Sequence, residues 1–139
     1  MHHRSLRTVL IIAFLVNLSW GYTFTFLPSL VERLYQIPFT DDLHLYLSMS
    51  RGAVFFVLAV VSLLAFLRPK RFGVLTIVLL LAYCCFFLVD VILLAQSRMS
   101  IPILLPEMVY FALIGAGIVR WFPGEDMVHV DSTLAKDGA

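Results

Sequence analysis

Residues 72–95 read FGVLTIVLLLAYCCFFLVDVILLA, twenty-four positions with one charged side chain, Asp90. At 1.5 Å per residue this stretch makes a helix of about 36 Å, long enough to cross the ~30 Å hydrocarbon core of a bilayer. A helix that is apolar on every side belongs either in the core of a large protein or in lipid. A chain of 139 residues has no large core to offer. The composition agrees: 61% of residues are hydrophobic and 14% charged, against roughly 25% charged in a soluble domain. Twelve phenylalanines and a mean hydropathy of +0.96 point the same way.

Working outward, three further segments have the same character. Residues 8–27, TVLIIAFLVNLSWGYTFTFL, follow the basic MHHRSLR and imitate a secretory signal. The apolar run continues past Trp20 without a small-x-small cleavage site, so it reads as a retained first helix. A second helix opens at Thr40-Asp41-Asp42, a hydroxyl cap with acids in the first turn, and continues to Leu67. Its first two turns are expected to project above the membrane, leaving a span of 48–67. Residues 72–95 and 101–121 form the third and fourth spans. The short connector QSRMS makes them an antiparallel hairpin.

Between the first two spans, Pro28 and Pro38 bracket SLVERLYQI. Leu30, Leu34 and Ile37 fall on one side of a helix over 29–37, with Glu32, Arg33 and Gln36 on the other. This pattern predicts a short amphipathic helix in the interface. It is either a lid over a lateral opening or a linker resting on headgroups. Residues 123–139 are polar enough to be a flexible tail. The expected fold class is therefore an all-α integral membrane protein, a single domain of four transmembrane helices in an antiparallel bundle plus one interfacial helix.

Basic residues orient the chain. Arg4, Arg7, Arg68, Lys70, Arg71, Arg120 and Lys136 fall on one side, and Arg33, Arg51 and Arg98 on the other. The positive-inside rule places both termini in the cytoplasm.

Arg51, Asp90 and Glu107 interrupt the apolar spans at a similar depth, roughly 5–10 Å below the outer surface. A charge near the bilayer centre costs at least ~3 kcal/mol and tends to face a partner or a cavity. His44 lies two turns above Arg51, Tyr83 two turns below Asp90, Tyr110 one turn deeper than Glu107, and Asn17 near the midplane of the first helix. These seven residues sketch a polar seam running inward from an outer vestibule at His44. Asn17 would meet Tyr83 if their helices packed as neighbours. Arg51 with two carboxylates leaves one formal negative charge, resolved most simply if one acid carries a proton. Packing explanations compete with a ligand or proton site. An Arg–carboxylate contact can simply fix helix packing, Arg51 can snorkel to the interface, and an acid just after Pro106 suits a helix N-terminus.

Other chemistries find little in the sequence. The four histidines, His2, His3, His44 and His129, lie outside or at the edges of the spans, which argues against haem. Asp90, Glu107 and His44 lack the spacing of a metal site. No Ser or Cys has a base at recognisable spacing, so no catalytic residue and no cofactor are expected. Adjacent Cys84 and Cys85 cannot form a normal disulfide and read as packing residues. A net charge of +1 with no basic stripe argues against nucleic acid. Small residues on the last helix (Ala112, Gly115, Ala116, Gly117) and the second (Ala59, Ser62, Ala65) permit close helix contact, either internal or with a partner subunit.

A helix ending in proline before a short interfacial segment comes first in this chain. Arg51-Gly52, the basic hinge Arg68-Pro69 and a Gly-rich last helix ending in Arg120-Trp121 follow. Together, over residues 8–122, these features resemble the DoxX-like group of small bacterial four-helix membrane proteins. The resemblance implies a bacterial inner membrane and a group in which some members are linked to quinone-coupled sulfur oxidation or redox stress. It carries over no catalytic residue, and the N-terminal helix and Asp90/Glu107 have no counterpart in it. The expected partners are the lipid bilayer and either other membrane subunits or further copies of the chain. The leading expectation is a non-catalytic accessory or assembly subunit. The second is a small-molecule, lipid, quinone or proton-handling site at the Arg/Asp/Glu cluster. A channel formed by oligomers has less behind it, because no inverted repeat is evident.

Overall fold

The computed structural model describes residues 2–68 and 73–122. Five helices occur in it: α1 (His2–Phe26), α2 (Pro28–Tyr35), α3 (Asp42–Leu67), α4 (Gly73–Ala95) and α5 (Ile101–Trp121). All but α2 are long and apolar enough to cross a membrane. The protein is thus an all-α membrane protein with a short helix between the first two long ones. The tail over 123–139, with His129, and most of the basic connector lie outside the described residues.

Each long helix buries one stripe and leaves the rest of its surface to lipid. On α3 the buried positions are Ser48, Gly52, Phe55, Leu58, Ala59, Ser62 and Ala65; on α5 they include Leu104, Glu107, Phe111, Ile114 and Ile118. The steps of three and four are those of one helix face. Large apolar residues such as Leu81, Leu88, Leu113 and Val119 stay exposed. Around the bundle the order is α1, α3, α4, α5, with α5 closing on α1. Helices α1 and α4 therefore stand diagonally.

The most extensive contact is between α1 and α3, and glycine makes it possible. A Cβ on Gly52 would collide with the Thr25 hydroxyl and lie 3.0 Å from the Gly21 carbonyl oxygen. One turn away, the Ser48 hydroxyl donates to the Phe24 carbonyl at 3.0 Å. That carbonyl would ordinarily accept from the residue four positions on, which is Pro28 and has no N–H. Ser48 thus satisfies a group that the proline at the α1–α2 junction leaves open.

Pro28 opens α2, and Gln36 ends it in the left-handed region at φ 55°. Its buried residue is Val31, and Tyr35 packs against the core one turn on. Leu30, Leu34 and Ile37 are exposed. The Glu32 carboxylate accepts from the Phe39 backbone N–H at 2.6 Å, pinning the connector into α3. At the start of α3 the cap is Asp41 rather than Thr40. Its Oδ1 accepts from His44 N at 2.9 Å, while the Thr40 hydroxyl lies 3.4 Å from His44 Nδ1. Helix α4 ends in a Schellman turn, with Arg98 N donating to Leu93 O and Ser97 N to Leu94 O, both at 3.0 Å. Ser97, at φ 54°, takes the position usually given to glycine.

Candidate functional site

The seam expected from sequence is two polar clusters separated by a layer of aromatic rings. The upper cluster, at the α2 end of the bundle, centres on Glu107, which is 3% exposed. Arg51 Nη2 of α3 donates to its Oε1 in an ion pair. The Tyr35 hydroxyl of α2 donates to its Oε2 at 2.7 Å. One buried carboxylate thereby joins α2, α3 and α5. Burial, with the Glu107 carboxylate alongside and Arg51 opposing, pushes the Tyr35 phenol well above its ordinary value, so it remains a donor.

The guanidinium of Arg51 also sits among rings, with its Cζ 4.9 Å from the centroid of Phe24, 5.6 Å from Tyr35, 5.8 Å from Phe55 and 5.9 Å from Phe86. Cation–π attraction and the ion pair together hold it inside. Arg51 therefore does not snorkel away. Helix-end electrostatics also fit Glu107 less well than expected, because α5 begins at Ile101 and Glu107 is its seventh residue. Pro106 lies inside the helix and frees the Pro102 carbonyl one turn back.

Asp90 is 2% exposed, but its Oδ2 has no hydrogen-bond partner among the described residues. Arg51 Nε is likewise buried without one. The three charges share a layer, yet Arg51 is committed to Glu107 alone. His44 stays apart, half exposed, with Asp41 Oδ1 3.1 Å from its Nδ1 and its ring stacked on Phe39.

Below this layer each spanning helix contributes one ring: Trp20, Phe55, Phe86 and Phe111. Trp20 meets Phe55 edge-on at 5.1 Å, Phe55 stacks on Phe86 at 5.3 Å, and Phe86 on Phe111 at 5.4 Å. These rings are the apolar barrier that interrupts the seam.

The lower cluster also takes one residue from each spanning helix. Asn17 Nδ2 donates to the Tyr83 hydroxyl at 2.7 Å and reaches Ser62 Oγ at 3.4 Å. Tyr110 lies 3.3 Å from Tyr83 Oη and donates to Asn17 Oδ1 at 3.4 Å. The meeting of Asn17 with Tyr83 takes place across the bundle diagonal rather than between neighbours. Ser62, which also donates to Leu58 O at 2.7 Å, completes the knot. Its sequence signal was only that of a small residue. Tyr35 was likewise missed, because a tyrosine on an amphipathic helix reads as an interfacial residue.

A cleft of about 340 Å³ opens between α1 and α5 beneath α2. Thr23, Tyr35, Gln36 and Glu107 are its polar lining, and Trp20, Phe24, Val31 and Pro106 are among its apolar walls. On the far side of α5 a second, almost wholly apolar groove of about 460 Å³ runs along Ala112, Gly115 and Ala116 beside Cys84. Cys84 and Cys85 are both free and exposed. The described residues contain no group of three His, Cys, Asp or Glu side chains placed to hold a metal ion.

Comparison of the chain with family models, with curated proteins and with solved structures finds no match.

Proposed function

We propose that this small membrane protein is a non-catalytic binding protein that takes an amphipathic small molecule from the bilayer into the cleft beneath α2. The observation that carries the reading is the double use of Glu107. Its carboxylate holds the bundle's ion pair and the α2 tyrosine, and the residue also lines a cleft with mostly apolar walls. A pocket of mostly apolar lining with a few convergent polar groups is the usual form of a small-molecule site. Helix α2 is the lid. Two prolines bracket it, and its hold on the bundle runs through Val31 and Tyr35.

Native mass spectrometry after gentle detergent extraction tests this. Wild-type protein should carry a small adduct of lipid-like mass, and Thr23→Phe, which fills the cleft from α1, should not. Protein that flies without an adduct, or an adduct retained by Thr23→Phe, contradicts the reading.

A second reading, an accessory or assembly subunit of a larger membrane complex, has one observation in its favour. The groove over Ala112, Gly115 and Ala116 would let another helix approach closely. A co-purifying protein lost on Gly115→Leu would support it. The layout resemblance to the DoxX-like group is compatible with either reading. The distribution of basic residues supports both termini in the cytoplasm and α2 on the opposite face, and the DoxX-like resemblance suggests a bacterial inner membrane.

A further inference from the structure

Resting on the cleft reading above, we propose that the bound molecule presents a hydrogen-bond donor to Glu107. Its head group is the hydroxyl of a lipid-soluble alcohol or phenol, or a lipid amine, and amphiphiles with a carboxylate or phosphate head are rejected.

The cation of the layer is already engaged. Arg51 donates to Glu107 and its guanidinium is surrounded by Phe24, Tyr35, Phe55 and Phe86. Glu107 is the charged residue in the cleft wall among the described residues. An ionised carboxylate offers about four lone-pair sites, and Arg51 and Tyr35 occupy two. The remaining capacity is for accepting, so the complementary ligand group is a donor. The Tyr35 oxygen, with its O–H directed at Glu107, can accept as well.

The charge balance acts in the same direction. The layer holds one cation, Arg51, against the two carboxyl groups of Glu107 and Asp90. Asp90 Oδ2 is buried and unpartnered, so Asp90 brings no cation to the layer. An anionic head group would bring like charge into a poorly solvated site, whereas a neutral or cationic donor meets attraction. Beyond the head, the walls at Trp20, Phe24, Pro102 and Pro106 suit a chain or ring.

Trp20 lies in the cleft wall and provides the readout. In protein carrying Trp121→Phe, leaving Trp20 as the one tryptophan, chain-brominated dodecanol, dodecylamine and dodecanoate are titrated at neutral pH and the quenching is followed. The alcohol and the amine should quench saturably, at about tenfold lower concentration than the carboxylate. A response to the alcohol, the amine or both identifies the source of the donor and supports the proposal. Glu107→Gln should raise the half-saturation of the donors roughly tenfold. If that variant does not fold, the head-group series and Thr23→Phe, which should abolish saturation, still decide. Dodecanoate binding as tightly as the donors overturns the ligand class and leaves the cleft reading standing. Failure of all three to quench saturably, or quenching indifferent to Thr23→Phe, overturns both.

Discussion

Tyr35 and Arg51 hold opposite oxygens of a single carboxylate, Tyr35 on Oε2 and Arg51 on Oε1 of Glu107. The interfacial helix is therefore attached to the bundle through the same group that neutralises the half-buried cation Arg51. Anything that disturbs the ion pair should be felt in α2, and the converse also holds.

Removing the cation should be expensive. Arg51→Ala leaves Glu107, 3% exposed, without a counter-charge. A loss of ~3 kcal/mol is expected from breaking such a pair. The double replacement Arg51→Met with Glu107→Leu should cost less than the two single changes added together. Unfolding in mixed detergent, followed by circular dichroism, measures both.

Two glycines should behave oppositely. Gly52→Ala drives a methyl into Thr25 at the α1–α3 contact and should cost about 1–3 kcal/mol by overpacking. A Cβ on Gly115 would meet Leu80 Cδ1 at an ordinary 3.6 Å. Gly115→Ala should therefore be neutral or slightly stabilising, since a helix interior favours alanine by ~1 kcal/mol. The same unfolding assay separates them.

In the lower knot, Tyr83→Phe removes two bonds, with Asn17 and with Tyr110, and interhelical hydrogen bonds in membranes average about 0.6 kcal/mol each. Asn17→Leu should cost more, because it removes three, to Ser62, Tyr83 and Tyr110, and leaves the hydroxyls around an apolar side chain. Equal losses for the two variants would mean that the knot is not organised around Asn17.

Ser97 offers a stabilising change. A non-glycine residue at φ 54° carries a penalty of roughly 1 kcal/mol. Ser97→Gly should raise the midpoint of thermal unfolding in detergent without affecting ligand retention.

Much of this arrangement is legible in the sequence. Apolar runs of bilayer length leave little freedom over the helix count, and counting along them puts Arg51, Asp90 and Glu107 in one layer. Which acid Arg51 takes depends on how α3 is rotated against α4 and α5, and no periodicity reports that. The aromatic barrier was visible as residues but not as a layer. Phe55, Phe86 and Phe111 lie on three helices, and their stacking follows only once the order around the bundle is known. Ser48 and Ser62 were hidden for a simpler reason. In a lipid-facing alphabet a serine reads as a small residue, and its hydroxyl matters only where a carbonyl or amide waits across the helix contact.

Hydrogen exchange of the α2 amides in nanodiscs tests the central claim, that the Glu107 carboxylate ties the lid to the bundle. Tyr35→Phe removes the hydrogen bond while leaving the ring. It should speed exchange in α2 roughly tenfold, as expected for losing a bond to a charged acceptor, while the amides of α3 and α5 around Phe55 and Phe111 keep wild-type protection. Unchanged exchange in α2, with the bundle equally protected, would contradict the account.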